Sequence, residues 1–274
     1  MDVSRAEERT TQDIADALRG GGPIAVVTGA GVSLASGIPT FRGPDPGAVW
    51  TRDVTALGTH RYFREDPAGS WRWYLARFDG LPDKVPNDAH RALAALEDWQ
   101  VGRGGAFTLV TQNVDRLHEA AGSRTLYKVH GSCDRVRCSA ESGCEHGAPR
   151  GSLPFDAANF APFRADPVAS NVPACPACGA HLRPHVLWFD EFYTDHVDYQ
   201  FGRALWAARH ASVLLFAGTS FSVAITDLVL QQARDRDVEA FAIDPFHQPP
   251  AGVRWVRRSA EEALPELVAA LGRA

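Results

Sequence analysis

The 274-residue chain has no long apolar run, no excess of basic residues and no cysteine outside one short region. A membrane-spanning helix needs about 20 consecutive apolar residues, and no segment approaches that length. Residues 1–20 predict a short amphipathic helix, with Ile14, Ala17 and Leu18 on its apolar side, in place of the apolar core of a signal peptide. The formal net charge of −5 argues against a general nucleic-acid-binding protein, which needs a basic surface. The sequence therefore predicts a cytoplasmic protein whose partners include neither membranes nor nucleic acid.

The five cysteines are confined to the region from Cys133 to Cys178. An odd number in one region suits a metal site in a reducing compartment better than a framework of disulfides. Cys175 and Cys178 form a CxxC pair, a spacing that lets two thiolates bind one tetrahedral zinc ion. A second pair of ligands is therefore expected elsewhere in the region.

Short apolar runs rich in β-branched residues alternate with helical patterns, which is typical of βαβ units on a parallel sheet. We therefore predict an α/β fold. The predicted strands are Ile24–Thr28, Phe107–Thr111, 126–129, Val213–Ala217 and Glu239–Ile243. Helices are predicted at 225–234 and Ala260–Leu271, and Pro265 is expected to kink or shorten the second.

Two segments interrupt this alternation. Residues 44–86 are rich in Trp, Pro and charge, and we interpret them as a helical insertion. Residues 132–187 hold every cysteine and have almost no helical period, so we interpret them as an inserted module held together by a metal. The predicted organisation is one main domain, formed by residues 1–131 and 188–274, with the module between its two halves.

The first predicted strand runs into a turn at residues 29–33 with the sequence GAGVS. Glycines at such a position let the backbone turn sharply and approach the phosphates of a ligand. Leu34 stands where the usual dinucleotide fingerprint has its third glycine, so the turn alone does not establish a dinucleotide site. The alternative is a tight strand-to-helix turn that binds no ligand.

Four stretches of the chain resemble the sirtuin family, in the order in which that family carries them. They are GAGVS at 29–33 with SGIPTFRG at 36–43, TQNVD at 111–115, VHGS at 129–132, and GTS at 218–220 with Val223. An ordered set of this kind is far more specific than any one motif. The resemblance implies a Rossmann-like domain with helices on both faces of its parallel sheet and a small inserted zinc module. It also implies an enzyme that consumes NAD to remove acyl groups from protein lysines.

In sirtuins, the acyl oxygen of the modified lysine attacks the nicotinamide ribose, nicotinamide leaves and an alkylimidate forms. The resemblance implies that His130 is the general base on a ribose hydroxyl, that Asn113 orders water and ribose, and that Asp115 holds the nicotinamide carboxamide. The residues themselves agree, because His130 ends a strand at an exposed position where an imidazole can act as a base at neutral pH. Residues 112–115 follow a strand end, where open α/β sheets bind ligands. The alternatives are a structural histidine and ordinary turn and helix-capping chemistry.

The cofactor site implied by the resemblance draws on the same stretches and on one further strand end. Its residues are Gly29, Ala30, Gly31, Ser33, Thr40, Phe41, Arg42, Gln112, Asn113, Asp115, Gly218, Thr219, Ser220 and Asp244. Arg42 is placed near phosphate and Phe41 shields the reacting carbon, with a surface ion pair and a core aromatic as the alternatives. Asp244 stands where many sirtuins have Asn, and its carboxylate can still accept hydrogen bonds from the adenosine ribose.

In sirtuins the first zinc ligand falls eight residues after the catalytic histidine. Counted from His130, that position is Cys138. Its partner usually follows three residues later, but position 141 is Glu, so the partner here is expected to be Cys144. The predicted ligands are Cys138, Cys144, Cys175 and Cys178, and the alternatives are sets that use Cys133, His146 or His181. Four thiolates complete the coordination shell, so the zinc is expected to be structural. A module held by packing alone is the remaining alternative.

Residues 71–78 predict a helix with an apolar face that includes Tyr74. Tyr74 and Arg77 are neighbours on its surface, and this Tyr-x-x-Arg pair resembles the sirtuin subgroup that removes succinyl, malonyl and glutaryl groups. A guanidinium beside a phenol can pair with a carboxylate, whereas an acetyl pocket has no such need. Thr40 agrees with this subgroup, because many deacetylases carry Asp there. The alternative is a core tyrosine beside a solvated arginine.

The stretch RPHVLWFDE at 183–191 resembles the substrate strand of sirtuins. An extended peptide can add to such a strand through main-chain hydrogen bonds. Val186, Trp188 and Phe189 are therefore predicted to contact an acyl-lysine peptide or protein.

Two other functions compete with deacylation. A sirtuin-like NAD hydrolase or mono-ADP-ribosyltransferase would use the same cofactor site. A protein of a different class, a non-catalytic module that senses NAD or ADP-ribose, would need the cofactor contacts alone. The intact Asn113, Asp115 and His130 favour an enzyme. The oligomeric state does not follow from the sequence, and a monomer is compatible with it.

Overall fold

A parallel sheet of six strands lies at the centre of the computed structural model, which describes residues 3–40, 52–140, 143–234, 236 and 238–272. In spatial order the strands are β3 (Leu126–Lys128), β2 (Phe107–Thr111), β1 (Ile24–Thr28), β7 (Val213–Ala217), β8 (Glu239–Ile243) and β9 (Arg254–Val256). Every neighbouring pair is parallel. The predicted α/β fold with a Rossmann-like sheet is therefore confirmed.

The central strands are predominantly apolar because both faces of the sheet are covered. All five residues of β1 and all five of β7 are buried. β7 is a continuous apolar run, and β1 is one up to Thr28. β1, β2, β7 and β8 have the bounds that the sequence predicted. The predicted strand 126–129 ends one residue earlier, at Lys128.

Helices cover both faces of the sheet. One face packs against three helices, α1 (Val3–Arg19), α5 (Asp88–Gly102) and α10 (Ala260–Leu271). The other packs against α8 (Phe201–His210) and α9 (Ala224–Arg234). Ile14 and Leu18 of α1 are buried in the first core, which confirms the predicted amphipathic helix. Pro265 lies inside α10 without shortening it.

A second, antiparallel sheet of three strands lies in the cysteine-containing segment. Its order is β5 (Leu153–Pro154), β4 (Gly131–Cys138) and β6 (Leu182–Val186). The same segment contains the 3-10 turns Ala157–Phe160 and Ala169–Asn171 and the short helix α7 (Ala161–Ala165). The sequence predicted almost no helix here because single turns are too short to produce a helical period.

Three helices belong to the predicted helical insertion. They are α2 (Arg52–Leu57), α3 (His60–Glu65) and α4 (Pro67–Phe78). The start of α4 is favoured locally, because Pro67 occupies its first turn and the Asp66 carboxylate accepts a hydrogen bond from the Gly69 backbone N–H at 2.7 Å. Side chains of α3 and α4 pack with those of the second sheet in a third hydrophobic cluster.

One more short helix, α6 (Leu117–Ala120), follows β2, and 3-10 turns lie at Ala30–Ser36 and Val197–Tyr199. Within the described part of the chain, every helix is too short or too polar to cross a bilayer.

Candidate active site

The glycine turn after β1 touches the loop after β7. The backbone N–H of Gly29 donates to the Ala217 carbonyl at 3.1 Å, and that of Gly31 donates to the Gly218 carbonyl at 2.9 Å. A Cβ atom at position 31 would lie 2.8 Å from the Gly218 Cα, a distance too short for any side chain. Glycine is therefore required because two backbones meet here, a reason that the sequence alone did not indicate.

A polar network joins the glycine turn to the residues that follow β2. Asn113 Nδ2 donates to the Gly29 carbonyl and to Ser33 Oγ, both at 3.1 Å. Ser33 Oγ donates to one carboxylate oxygen of Asp115 at 2.9 Å, and the Leu117 N–H donates to the other at 3.0 Å. Because β1 and β2 are parallel neighbours, their carboxyl ends bring Ser33, Asn113 and Asp115 together.

Gln112 connects the same edge of the sheet to the loop after β7. Its Nε2 donates to the Thr28 carbonyl at 3.2 Å and to Thr219 Oγ1 at 3.1 Å. Ser220, the next residue of that loop, shares a 2.6 Å hydrogen bond with Ser222. Three strand ends are thus connected by side chains that the sequence predicted for the cofactor site.

His130 lies two residues after β3 and is half-buried, whereas the sequence predicted an exposed position. Its Nδ1 is 2.8 Å from the Gln112 carbonyl, which can only accept, so we assign the ring hydrogen to Nδ1. The lone pair of Nε2 then accepts a hydrogen bond from the Tyr193 hydroxyl at 3.1 Å. Burial, opposed by the Gln112 carbonyl, lowers the pKa of His130 to about 4. The imidazole is therefore neutral at pH 7 and can accept a proton.

Four cysteine thiols form a cluster between the second sheet and the loops beside it. They are Cys138, Cys144, Cys175 and Cys178, and their sulfur atoms all lie within 4.8 Å of one another. The Sγ atoms of Cys138 and Cys178 are 3.4 Å apart, and those of Cys144 and Cys175 are 3.5 Å apart. Four converging thiols are the ligand set of a structural tetrahedral zinc. The cluster agrees with the predicted set and does not include the alternatives Cys133, His146 and His181.

Comparisons with known proteins decide the family. The profile of the Sir2 family matches residues 29–225. This chain belongs to the Sir2, or sirtuin, family. An NAD-dependent protein deacylase of Thermus thermophilus is 41% identical over 201 residues, which cover 73% of this chain and 70% of that protein. NAD-dependent protein deacylase 1 of Pseudomonas aeruginosa is 38% identical over 261 residues, which cover 93% of this chain and 96% of that protein.

Solved sirtuin structures share the fold over nearly the whole chain. The crystal structure of a Sir2 homolog in complex with NAD matches with a TM-score of 0.78 and 33% identity, and covers 96% of this chain and 94% of that one. A mutant Sir2 homologue in complex with ADP ribose matches with a TM-score of 0.78 and 32% identity, and covers 95% and 96%. The family predicted from four short motifs is therefore confirmed.

Two other residues predicted for the cofactor site of this sirtuin are also buried. Asp244 follows β8, and one of its carboxylate oxygens accepts hydrogen bonds from the backbone N–H groups of Phe246 at 2.8 Å and His247 at 2.6 Å. It thus shapes the turn that closes this end of the sheet. Thr40 is buried as well, whereas Phe41 and Arg42 lie outside the described residues.

Tyr74 and Arg77 lie on α4 as predicted, but their side chains have different surroundings. Tyr74 is buried, with its ring 4.7 Å from that of Trp73 and 6.4 Å from that of Trp188. Burial raises the pKa of Tyr74, so its hydroxyl stays protonated. Arg77 is half-buried, with its guanidinium 3.8 Å above the Trp73 ring and its Nη1 donating to the Trp73 carbonyl at 2.9 Å.

The predicted substrate strand at 183–191 is only partly a strand. β6 ends at Val186, and Trp188 and Phe189 follow in a loop. Trp188 is buried, whereas Phe189 is 55% exposed and its N–H donates to the Gly58 carbonyl at 3.0 Å. The strand prediction was wrong beyond Val186 because the loop is held by a side chain near its end.

That side chain is Glu191, which the sequence analysis did not single out. Its carboxylate accepts hydrogen bonds from Arg183 at 3.0 Å, from Arg137 at 2.8 Å and from the Trp188 N–H at 3.0 Å. The Arg183 guanidinium also lies 3.2 Å above the Trp188 ring. Burial alone would raise the pKa of Glu191, but Arg183 and then Arg137 lower it to about 2. This ion-pair group turns the chain back after Val186.

A second group of side chains of metal-ligand type lies close to that ion pair. His185 Nε2 and Asp198 are 3.2 Å apart, and Ser152 Oγ donates to the same carboxylate oxygen at 2.9 Å. His196 Nε2 lies 3.0 Å from the Gly151 carbonyl, and its Nδ1 accepts from the Asp198 N–H at 3.2 Å. The ligand atoms of His196 and Asp198 are therefore already engaged with neighbours in the chain.

Proposed function

We propose that this sirtuin is an NAD-dependent protein-lysine deacylase that produces nicotinamide and O-acyl-ADP-ribose. The observation that carries the proposal is the neutral His130 imidazole, whose Nε2 lone pair lies at the edge of the sheet where Asn113 and Asp115 also lie. The names of the Thermus and Pseudomonas relatives support it. So does a solved mutant Sir2 homologue, 32% identical with a TM-score of 0.77, in complex with 2′-O-acetyl ADP ribose.

In the proposed reaction, NAD supplies the ribose that receives the acyl group. His130 takes a proton from a ribose hydroxyl at Nε2, because its Nδ1 is held by the Gln112 carbonyl. Asn113 and Asp115 orient the ribose and the nicotinamide carboxamide. Both already bond to Ser33, so they need little rearrangement to bind.

The further cofactor contacts that we propose come from the ends of β1, β2, β7 and β8. They are Gly29, Ala30, Gly31, Ser33, Thr40, Gln112, Gly218, Thr219, Ser220 and Asp244, together with Phe41 and Arg42. Small side chains and backbone N–H groups at adjacent strand ends fit the ribose and phosphate groups of a dinucleotide.

One incubation separates the proposed function from its rivals. A peptide that carries one acetyl- or succinyl-lysine is incubated with and without NAD, and the peptide mass and released nicotinamide are measured. A deacylase releases one nicotinamide for each acyl group removed. Nicotinamide release that does not depend on the peptide would show a hydrolase, and addition of ADP-ribose to the peptide would show a transferase. Unchanged peptide and NAD would show a non-catalytic module.

We further propose that the acyl pocket accepts acyl groups that end in a carboxylate. Arg77 Nε is buried without a hydrogen-bond partner among the described residues, and Tyr74 lies on the same face one turn earlier. A buried donor without a partner destabilises the fold, and an acyl carboxylate would supply that partner. The Arg77 side chain has to turn away from the Trp73 carbonyl to make a bidentate contact.

The matched pair Arg77→Met and Arg72→Met tests this preference. Arg72 lies on the same helix but donates to the Pro167 carbonyl at 2.9 Å. Removing one partner of a buried charge pair costs about 2–5 kcal/mol. The ratio of succinyl to acetyl kcat/KM is therefore expected to fall by about 1.5 to 3.5 decades in Arg77→Met, at about 1.4 kcal/mol per decade. Arg72→Met is expected to keep the ratio.

An unchanged ratio in Arg77→Met would mean that Arg77 is an ordinary surface arginine and that the enzyme is a general deacetylase. Tyr74→Phe deletes only a hydroxyl, so a smaller fall in the same ratio is expected, about 0.5–1.5 kcal/mol.

We propose that the substrate peptide lies along Val186, Trp188 and Phe189. Phe189 offers an exposed ring to the peptide, whereas Trp188 is buried beside Tyr74 and would form part of the pocket wall. Main-chain pairing with this segment would bind peptides with little dependence on their side chains.

A further inference from the structure

Tyr193 contacts the proposed base His130 through both its hydroxyl and its ring. The hydroxyl oxygen is 3.1 Å from His130 Nε2, and the two rings are stacked with centroids 5.7 Å apart. The Tyr193 ring also stacks on Phe201, at 5.0 Å and an interplanar angle of 14°. Neither the motifs nor the predicted substrate segment included Tyr193.

The direction of each hydrogen bond follows from the partners. Because the Nδ1 hydrogen of His130 is given to the Gln112 carbonyl, Nε2 can only accept, and the Tyr193 hydroxyl donates. Burial raises the pKa of Tyr193 to about 12, so the phenol remains a donor throughout the neutral range. The phenol thus occupies the lone pair with which His130 takes up a proton.

We propose that Tyr193 is a positioning residue that holds the His130 base in its neutral, oriented form and gives up its place at Nε2 to the ribose hydroxyl of NAD. This inference rests on the proposed deacylase function. A hydrogen bond donated to Nε2 exists only while the imidazole is neutral, so Tyr193 favours the form that can act as a base. A ribose hydroxyl donates in the same way, so the exchange replaces one O–H···N hydrogen bond with another.

The test compares Tyr193→Phe with Tyr199→Phe. Each variant removes one phenol hydroxyl and keeps the ring. The Tyr199 ring contacts His185 and His196, and its hydroxyl has no hydrogen-bond partner among the described residues. Tyr193 is the titratable side chain that contacts the His130 ring in the described part of the chain, and β2 contributes the Gln112 carbonyl.

Nuclear magnetic resonance of isotope-labelled histidine gives the pKa of His130 directly, with its signal assigned by its loss in His130→Ala. In the NAD-free protein, Tyr193→Phe is expected to raise the pKa of His130 by about half to one pH unit, the equivalent of one net hydrogen bond. Tyr199→Phe is expected to leave it unchanged. With NAD bound and no acyl peptide, wild type and Tyr193→Phe are expected to give the same pKa, because the ribose has replaced the phenol.

Turnover adds a second readout. The acid limb of kcat/KM for NAD reports the free enzyme, and that of kcat reports the loaded enzyme. In Tyr193→Phe, the acid limb of kcat/KM is expected to move to higher pH and the acid limb of kcat to stay in place. A purely structural role would lower kcat/KM and kcat without moving either limb. An unchanged pKa of His130 in NAD-free Tyr193→Phe, or a difference that persists with NAD bound, would overturn the proposal. Both of these pKa measurements are made without turnover. A failure of the proposed role of Tyr193 can therefore be distinguished from a failure of the proposed deacylase function.

Discussion

Two largely buried polar clusters in this sirtuin differ in what they offer to a ligand. The sheet-edge cluster consists of Ser33, Asn113, Asp115 and His130 and is held by strand ends. Its proposed base, His130, contacts the Tyr193 phenol, which we propose a ligand hydroxyl replaces. In the ion-pair cluster, most charged groups are paired with one another, although Arg137 Nη1 has no hydrogen-bond partner among the described residues. This cluster consists of Arg137, Arg183, His185, Glu191, His196 and Asp198.

Shifted pKa values do not distinguish the two clusters. Burial lowers the pKa of His185 to about 4, the same value as for His130. Perturbed titration marks burial and strong pairing, which functional and structural groups share. We propose that the sheet-edge cluster is the site because the phenol of Tyr193 can give up its place at His130 Nε2 to a ligand.

The two groups of side chains that could bind a metal ion also differ. All four thiols converge on one point. In the second group, His196 and Asp198 are already engaged by the backbone and by Ser152, which leaves only the His185 nitrogens without a hydrogen-bond partner among the described residues. We therefore expect one zinc per chain, bound at the cysteines.

The largest expected effect is the loss of that zinc in Cys175→Ser. Structural zinc contributes about 10–16 kcal/mol in small domains, which is comparable to the whole stability of a typical fold. The variant is expected to lose both its metal and its soluble folded state. His185→Gln is expected to keep one zinc by elemental analysis. Active wild-type protein without zinc, or with two zinc ions per chain, would contradict this distinction.

A smaller effect is expected when the ion-pair cluster is opened. Glu191→Gln keeps the side-chain shape but leaves two buried arginines without their counter-charge, so the free energy of unfolding should fall by about 3–5 kcal/mol. Glu266→Gln breaks an exposed pair with Arg258 and should cost about 1 kcal/mol or less. Urea denaturation measures both. Equal losses in the two variants would show that the buried cluster is not a stabilising unit.

The free energy of unfolding should also fall as the solution is acidified. The pKa values of His90 and His185 are lowered to about 4 because burial disfavours the imidazolium. Between pH 6.5 and 4, the unfolded chain binds protons that the folded chain does not, so stability falls by up to about 3 kcal/mol for each histidine as pH decreases. Glu191 acts at lower pH, because its stabilisation is present above about pH 4.5 and is lost as pH falls towards 2.

The pH dependence of urea unfolding tests this account with His185→Gln. In wild type, unfolding between pH 4 and 6.5 takes up about one proton at His185, and the variant lacks this uptake. The slope of the free energy of unfolding against pH should therefore decrease by up to about 1.4 kcal/mol per pH unit in this range. An unchanged slope would mean that the folded protein protonates His185 as readily as the unfolded chain does.

The sequence predicted what depends on short-range patterns. Apolar runs determined the bounds of β1, β2, β7 and β8, and polar residues placed directly after them, such as Asn113, indicated the ligand-binding edge. The CxxC pair indicated Cys175 and Cys178, and the resemblance to sirtuins implied Cys138 and, as its partner, Cys144; all four lie in the cluster.

Contacts between distant segments could not be predicted in this way. Ser33 and Asp115 are 82 residues apart, and His130 and Tyr193 are 63 apart, so only tertiary packing brings them together. The loop after Val186 was mistaken for a strand because Glu191 pairs with Arg183, a contact that has no periodic signature. The domain boundaries after residues 131 and 187 stay a prediction.

The most direct test of the central claim, that the sheet-edge cluster performs the chemistry, is the kcat/KM for deacylation of an acyl-lysine peptide by His130→Ala, measured together with its free energy of unfolding. Loss of a general base costs about two to four decades in rate, so we expect a fall of that size. Stability should change by less than about 2 kcal/mol, because His130 is only half-buried. Retention of most of the turnover by folded His130→Ala would contradict the claim.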